Sequence, residues 1–314
     1  MENAQLIKQA ANRLGFIACG IAKAAPVDST TATVYRQWIA EGGHADMHYL
    51  ANNIDKRLDP TLLLPGARSI IVVALNYAPA HSLPDGEYQI AAYALGKDYH
   101  DVMKQRLTAL NEATAHRSPH KICVDTVPIL ERYWAQQAGI GFIGRNHQLI
   151  IPTAGSMVFL GEIVTTAVFD SYDAPMQNRC GTCHRCIDAC PTGALHSGTA
   201  SLKSAKCLSY QTIENRGPLD ATVADKLGDT IYGCDRCQQA CPWNRFALPN
   251  DTAELQPSAT LLNMTRARWH TLTREDYQQL FRGSAVKRAK YEGLMRNIQA
   301  AASASPYGLS AKQD

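Results

Sequence analysis

Cysteine is distributed very unevenly along this chain of 314 residues. Eight of its ten cysteines fall between Cys180 and Cys241, and only Cys19 and Cys123 lie outside that interval. One motif reads Cys-x2-Cys-x2-Cys-x3-Cys-Pro over residues 180–191, and a second reads Cys-x2-Cys-x3-Cys-Pro over residues 234–242. Cys207, between the motifs, completes the eight. This pattern is typical of a small domain held together by metal.

The first motif is the bacterial ferredoxin run, in which three thiolates bind one [4Fe-4S] cluster and the cysteine before proline reaches the other. The crossing rule assigns to one cluster Cys180, Cys183, Cys186 and Cys241. It assigns to the other Cys190, Cys207, Cys234 and Cys237. Two zinc sites are the alternative, but zinc favours paired C-x2-C knuckles. We predict two clusters that transfer electrons, because fully ligated irons leave no open site for a substrate.

Cys19 and Cys123 stand in apolar, strand-like runs. A free cysteine in such a place usually behaves as a small buried hydrophobe. We therefore assign neither residue a role.

The length is about twice that of a usual single domain, which predicts more than one packing unit. Apolar residues at 46% and charged residues at 19% exclude a disordered chain, and a net charge of +3 excludes a polycation. We expect an α/β (α+β) domain, a two-cluster ferredoxin-like domain and a basic helical segment. Their predicted bounds are residues 1–170, 171–250 and 251–314.

Residues 1–170 alternate helical and strand patterns. The run Ser69 to Tyr77 is too continuously apolar for a strand with one exposed face, so we place it centrally in the sheet. We expect Gln148 to Ile151 and Met157 to Val168 to pair as a hairpin. Further helices are predicted over residues 98–116, 129–138, 274–281 and 286–300. A tail over residues 303–314 is predicted to be disordered.

No apolar run is long enough to span a membrane, since Ser69 to Ala80 and Ser156 to Phe169 are of strand length and interrupted by polar residues. Residues 1–16 carry apolar side chains at helical spacing between charges, which indicates an amphipathic helix and not a signal peptide. We expect a soluble, monomeric, cytoplasmic protein without membrane contact, in which cysteines stay reduced.

Five further motifs accompany the cysteines. They read LGKDYH over 95–100, VDTVPILER over 124–132, AGIGFIGRN over 138–146, CPWN over 241–244 and FRGSAVKR over 281–288. Together and in this order, the motifs closely resemble the epoxyqueuosine reductases. The resemblance extends from about residue 10 to residue 298.

That family is similar to the reductive dehalogenases in joining a cobalamin-binding α/β domain to a two-cluster ferredoxin module. The resemblance implies reduction of epoxyqueuosine to queuosine at the wobble position of tRNA, with electrons passing through both clusters to cobalamin. It also implies an electron donor that the sequence does not identify. Many members continue past Arg296-Asn297 into helical repeats; here 17 residues follow, so the chain resembles the shorter members and repeat contacts to tRNA are not expected.

Cobalamin mutases carry a D-x-H-x-x-G signature whose histidine binds cobalt. The nearest match here, Asp46 to Ala51, has alanine in place of the glycine. We interpret this match as chance and expect base-off cobalamin without a histidine ligand.

Asp125 is the predicted proton donor for the departing epoxide oxygen. It ends a short apolar strand, a position that presents side chains to a site, and it matches the family's acidic position. As a donor near neutral pH it needs a pKa raised by desolvation or by a nearby negative charge. The alternative is a cap for the helix near Pro128. Asp98 is a second catalytic candidate, with a helix cap as its alternative, and Tyr99 and His100 are weaker ones.

A cobalamin pocket needs polar side chains and exposed backbone amides, because the corrin carries amide arms and a phosphate. Six residues are candidates for contacts to cobalamin, because of the resemblance and because their surroundings are polar. They are Arg57, Gly141, Arg145, Asn146, Ser209 and Asp235. For the glycine-rich stretch, a plain turn with a solvated arginine is the alternative.

Residues 264–296 carry eight basic and three acidic residues, a net charge of +5 that leaves −2 for the rest of the chain. Trp269, Tyr277, Phe281 and Tyr291 interleave with these charges, which suits phosphate contact and stacking on unpaired bases. We predict tRNA contacts from Arg282, Lys287 and Arg288. A solvated basic helix face is the alternative.

Two other functions remain open at this point. A cobalamin-dependent reductase of a small molecule would not need the basic segment. An electron-transfer protein would use residues 1–170 only for docking to a partner.

Overall fold

The computed structural model describes residues 1–114, 118–196 and 202–304. Its helices are α1 (Ala4–Arg13), α2 (Ser29–Ala40), α3 (Ile54–Leu58), α4 (Tyr99–Ala113), α5 (Glu131–Gln137), α6 (Arg185–Asp188), α7 (Leu208–Ile213), α8 (Ala221–Ala224), α9 (Arg236–Gln239), α10 (Ala259–Leu262), α11 (Arg266–His270), α12 (Arg274–Leu280) and α13 (Lys290–Ala304). Its strands are β1 (Ala18–Lys23), β2 (Ser69–Asn76), β3 (Gln89–Ile90), β4 (His120–Cys123), β5 (Phe142–Ile143), β6 (Leu149–Ile150), β7 (Val158–Thr165) and β8 (Thr230–Tyr232).

The main sheet has the order β1-β2-β7-β4, with every neighbouring pair antiparallel. The central position predicted for Ser69 to Tyr77 is confirmed, because β2 pairs on both edges. Its alternate side chains enter two cores: Ile71 and Val73 pack with residues of α1 and α4, and Ile70 and Val72 pack with residues of α5. The near-continuous apolar run therefore reflects burial of both faces.

The predicted hairpin between Gln148 to Ile151 and Met157 to Val168 is wrong. Strand β6 pairs with β5, whereas β7 pairs with β2 and β4. Only an isolated bridge, Ile151 to Gly155, closes the turn between them. The long strand β7 is almost wholly buried beyond Leu160, and two neighbouring strands satisfy its backbone better than the two-residue β6 could.

Residues from all three predicted segments share a third core. Strand β3 pairs with β8 in parallel, and Tyr88 packs in one cluster with Tyr232, Trp269 and Ile298. The predicted helix over 286–300 is two elements, a 3-10 turn at Ala285–Ala289 and then α13, which begins at Lys290 with φ of +62°. The domain bounds remain predictions, since these segments pack as one body of side chains.

Ser303 and Ala304 belong to α13, and the rest of the tail predicted to be disordered lies outside the described residues. Within the described ranges, no helix combines the length and apolar character needed to cross a bilayer.

Candidate functional site

Asp125, in the loop between β4 and α5, is contacted by the side chains of Tyr99 and His100 on α4. Oδ2 of Asp125 accepts a 2.6 Å hydrogen bond from the Tyr99 hydroxyl and lies 3.1 Å from Nε2 of His100. The Tyr99 ring stacks between His100 and Phe159, at centroid distances of 4.1 and 4.4 Å. The first turn of α4 thus aims two donors at one carboxylate oxygen of the loop after β4.

The charge state of this group differs from the expected one. Desolvation raises the pKa of Asp125, but hydrogen bonds from His100 and Tyr99 outweigh it and leave the pKa below its ordinary value. Desolvation lowers the pKa of His100, whereas hydrogen bonds to Asp125 and Asp98 raise it to about 9. Near neutral pH the proton therefore resides on His100, and Asp125, whose side chain is 55% exposed, is a carboxylate.

The structure decides between the cap alternatives. Helix α5 begins at Glu131 with Leu130 at the cap position, so Asp125 does not cap it. Asp125 instead has φ of +47°, and its backbone N–H donates to Oε1 of Glu131 at 2.5 Å. Asp98 does cap α4 and also holds Nδ1 of His100 at 2.6 Å. It therefore orients the ring that faces Asp125.

Two glutamates near Asp125, Glu131 and Glu162, were not predicted as site residues. Burial, and then the charge of Asp125, raises the pKa of Glu131 to about 7. Glu162, on β7 opposite Cys123, is fully buried, and neither of its carboxylate oxygens has a hydrogen-bond partner among the described residues. Burial raises its pKa well above the ordinary value. The sequence signal for Glu162 was a single acidic residue within an otherwise apolar strand.

The first predicted set of cysteines comes together. Cys180, Cys183, Cys186 and Cys241 line one small pocket with Trp243. Arg145 and Asn146, predicted to contact cobalamin, line this same pocket, and Nη2 of Arg145 donates to the Gly181 carbonyl at 2.8 Å. Their position corrects the expectation: these residues adjoin the first cluster site.

Gly141, also predicted for cobalamin, has a packing role. A Cβ at this position would lie 2.6 Å from the Ile150 carbonyl oxygen. Only glycine lets β5 approach β6 this closely. Packing alone therefore explains why glycine stands at position 141.

The second predicted set is grouped by mutual electrostatic effects. Burial raises the pKa of Cys207, and the neighbouring Cys190 adds to the rise. Burial likewise raises the pKa of Cys237, with further contributions from Cys234 and Cys207. Cys190 therefore lies near Cys207, and Cys207 and Cys234 lie near Cys237, which also senses the charge of Cys186 from the first set.

Across the residues that the structure describes, no group of three or more Cys, His, Asp or Glu side chains is arranged to hold a single metal ion. Three cysteines at x2 spacing on one turn remain the feature that favours a cluster of four irons over zinc.

Cys19 and Cys123 are half-buried and buried, respectively. Burial raises the pKa of Cys19 to about 12, which keeps it a neutral thiol. Both observations agree with residues that have no role in metal binding.

Of the other cobalamin candidates, Ser209 and Asp235 stand next to cysteines of the second set in the sequence, whereas Arg57 donates a 3.3 Å hydrogen bond to the Tyr49 carbonyl. Arg57 is buried, and its Nε has no partner among the described residues; the same holds for Nδ1 of His44. Ser209 is half-buried, two residues after Cys207. Asp235 accepts hydrogen bonds from the Ala92 backbone at 2.6 Å and from Gln238 at 3.3 Å, which account for its burial.

These orphaned donors fit a group rich in amide oxygens and phosphate, as cobalamin is. Asp46, from the chance D-x-H match, instead accepts a 2.6 Å hydrogen bond from the Tyr210 hydroxyl. This bond ties the His44 region to the helix that follows Cys207. The residues present therefore fit cobalamin between the α/β domain and the second cluster site.

The aromatic part of the nucleic-acid prediction is wrong. Trp269, Tyr277 and Phe281 are buried in the C-terminal core, and Tyr291 is partly buried against it. Trp269, Tyr277 and Phe281 are not available for stacking on bases, because they fill the interior that holds α11, α12 and α13 together. Tyr291 is half-buried and lines a surface depression with Arg282 and Lys287. The interleaving of charged and aromatic residues is that of amphipathic helices packed on a core.

The predicted basic contacts divide into two kinds. Arg282 and Lys287 line a surface depression of about 480 Å³ together with Arg274 and Lys290. Arg288 instead makes two hydrogen bonds of 2.8 and 2.9 Å to Glu214. Its guanidinium lies 5.6 Å from the centre of the Tyr49 ring.

The basic segment adjoins the catalytic candidates. The backbone N–H of Asp98 donates to the Gly283 carbonyl at 2.6 Å. Gly283, the residue after Arg282, is thus joined to the cap residue of α4 by one hydrogen bond.

Comparisons with known proteins agree with this arrangement. Residues 57–126 match the family described as "Epoxyqueuosine reductase QueG, DUF1730", and residues 179–244 match the "4Fe-4S double cluster binding domain". An epoxyqueuosine reductase from Cellulophaga algicola is 39% identical over 300 residues, which cover 95% of this chain and 97% of that protein.

Two solved structures are similar over nearly the whole chain. An epoxyqueuosine reductase with an epoxyqueuosine-modified stem loop of tyrosine tRNA has a TM-score of 0.86 and 29% identity, covering 96% of this chain and 80% of that one. The Bacillus subtilis enzyme, described with its catalytic aspartate loop swung out of the active site, has a TM-score of 0.84 and 27% identity, with the same coverage.

Proposed function

The chain belongs to the epoxyqueuosine reductase family, and we propose that it reduces epoxyqueuosine to queuosine at the wobble position of tRNA. The overall reaction takes two electrons and two protons, converts the epoxide to an alkene and releases the oxygen as water. When bound, two [4Fe-4S] clusters and cobalamin would supply the two electrons for this reduction.

The observation that carries the proposal is the junction of three elements. His100 and Tyr99 both bond to Asp125, while Asp98 is bonded to Gly283 of the basic segment. A proton source and a polyanion-binding surface are therefore contiguous, as reduction of a nucleotide within tRNA requires.

The protonated His100–Asp125 pair is the proposed proton source. Asp125 faces the open side, so the proton held on His100 passes across the 3.1 Å contact to Oδ2 of Asp125 and from there to the departing oxygen. The second proton of the overall reaction comes from water. Asp98 and Tyr99 hold the pair in position. This arrangement keeps a proton available near neutral pH although the carboxyl itself is ionised.

The strained backbone of Asp125 suits a loop that changes position. A non-glycine residue at φ of +47° is held by its surroundings, here by Glu131 and by the two donors on α4. The Bacillus subtilis relative, with its catalytic aspartate loop swung out, supports such movement in this family.

Arg57, His44 and Ser209 would hold cobalamin, since Arg57 and His44 each carry a buried polar atom without a partner among the described residues and Ser209 follows Cys207 by two residues. Arg282 and Lys287 bind tRNA phosphates. The protein is a cytoplasmic monomer, where its tRNA substrate and an electron donor are available.

The test uses protein reconstituted with iron, sulfide and cobalamin. With a strong reductant, it should convert epoxyqueuosine-containing tRNA to queuosine-containing tRNA, detected by mass spectrometry of digested nucleosides. Failure to bind cobalamin stoichiometrically would favour an electron carrier. Cobalamin binding without tight tRNA binding would favour a reductase of a small molecule.

A further inference from the structure

The loop between β5 and β6 carries a buried amide that faces the first cluster site. Asn146 is 4% exposed, and its Oδ1 accepts a 3.2 Å hydrogen bond from the Gln148 backbone. The amide orientation is settled by that bond, because a flipped amide would set two donors against each other. Nδ2 of Asn146 has no partner among the described residues.

The loop is built around this side chain. The Gly144 backbone N–H donates to the Gln148 carbonyl at 2.9 Å, closing the turn. A Cβ on Gly144 would lie 2.8 Å from Oδ1 of Asn146 and 2.5 Å from Cδ1 of Ile150. Only glycine at 144 leaves room for the inward position of Asn146.

The unpaired amide lines the pocket formed by Cys180, Cys183, Cys186 and Cys241. A buried donor without an acceptor costs about 1 to 3 kcal/mol. The sulfurs of a cluster bound there are the acceptors that would remove this cost. Arg145 fixes the opposite side of the site through the Gly181 carbonyl.

We propose that Nδ2 of Asn146 donates an N–H···S hydrogen bond to the cluster held by these four cysteines and thereby raises its reduction potential. Reduction adds one electron to the cluster, and a donor stabilises the more negative form more strongly. The inference rests on the clusters of the proposed function but not on its tRNA substrate.

The test is an EPR-monitored redox titration of the reconstituted full chain. Asn146→Ser keeps a hydroxyl that can accept from Gln148 and preserve the turn, but it removes the amide donor. Asn146→Leu removes both. At a fixed potential, the reduced-to-oxidised ratio of one cluster should fall about tenfold, equivalent to about 59 mV for one electron, while the other cluster is unchanged.

Gln148→Leu is the matched control, because it alters a side chain on the same loop and spares the backbone bonds; both potentials should stay at wild-type values. In deuterated buffer, the coupling of exchangeable deuterons to the reduced cluster should be weaker in Asn146→Ser than in the wild type, because one N–H···S donor has been removed. If Asn146→Leu loses iron, the serine variant decides. Wild-type potentials for both clusters in iron-replete Asn146→Ser would overturn the proposal, whether or not the protein reduces epoxyqueuosine.

Discussion

Nε2 of His100 lies 3.1 Å from Oδ2 of Asp125, and Nδ1 of the same ring lies 2.6 Å from Oδ1 of Asp98. One imidazole thus bridges two carboxylates. Because both hydrogen bonds favour the protonated ring, the pair keeps a proton well above the pH at which an ordinary histidine loses it.

The pH dependence should follow His100. Turnover should be level from about pH 7 to pH 8 and fall as the pH passes about 9, where His100 loses its proton. In His100→Gln that fall should disappear, and the rate near pH 7 should drop at least about tenfold. Single-turnover rates on a modified stem loop measure both effects, and a wild-type rate that stays level above about pH 10 would contradict the assignment.

The same pair links stability to pH. The folded pKa of His100 lies above its ordinary 6.5, so its contribution is fully present below about 6.5 and is lost as the pH rises through about 9. The difference in unfolding free energy between the wild type and His100→Gln should shrink over that interval. Urea unfolding at several pH values measures it.

Asp125→Asn tests the proton delivery itself. The amide keeps the shape but cannot release a proton, so turnover should fall about 10²-fold or more while cobalamin and tRNA binding survive. Asp98→Asn is the comparison, since Asp98 only positions His100 and its loss should cost less. Unchanged turnover in Asp125→Asn would leave the His100 ring as the direct donor.

The crossing of the cysteine motifs is tested by iron content. Cys207→Ala should retain about one intact cluster and lose turnover, because the electron path is broken. Cys123→Ala, a buried thiol outside both sites, should keep the full iron content. A Cys207→Ala protein with two clusters would exclude Cys207 as a ligand.

The tRNA surface should be visible in the salt dependence of binding. Each charge removed by Arg282→Ala or Lys287→Ala should reduce the slope of log affinity against log salt by about 0.7 to 0.9. Arg288→Ala should change it less, because Arg288 is paired with Glu214. Arg13→Ala, on exposed α1, is the control, and cobalamin uptake should stay constant. Unchanged slopes for Arg282 and Lys287 would place the tRNA elsewhere.

Glu162→Gln replaces a buried carboxyl group with a neutral amide and should change how stability depends on pH. The folded pKa of Glu162 lies well above its ordinary 4.5, so its contribution to stability is present below about 4.5 and is lost as the pH rises. Relative to the wild type, the variant should therefore gain stability between about pH 5 and pH 8. The exposed Glu41→Gln provides the control, and a pH-independent difference would show that Glu162 is ionised in the folded state.

The sequence alone determined the double-cluster domain, the central strand and the family. Cysteine spacing within a motif is local geometry, so Cys180, Cys183 and Cys186 could be assigned to one site by counting residues. Burial of both faces of β2 leaves a continuous apolar run, which needs no knowledge of its neighbours. Motifs in a fixed order carry family membership without any three-dimensional information.

Only the tertiary structure decided what depends on contacts between distant segments. Asn146 and Arg145 could not be placed at the first cluster site from sequence, because the site forms when the β5–β6 loop packs on residues about 35 and 100 positions away. The sequence pattern suggested that Trp269 and Phe281 could stack on nucleic-acid bases, but both are buried in the core shared by the three segments. The proton on His100 follows from two carboxylates on different elements, and a pKa depends on the charges that folding brings together.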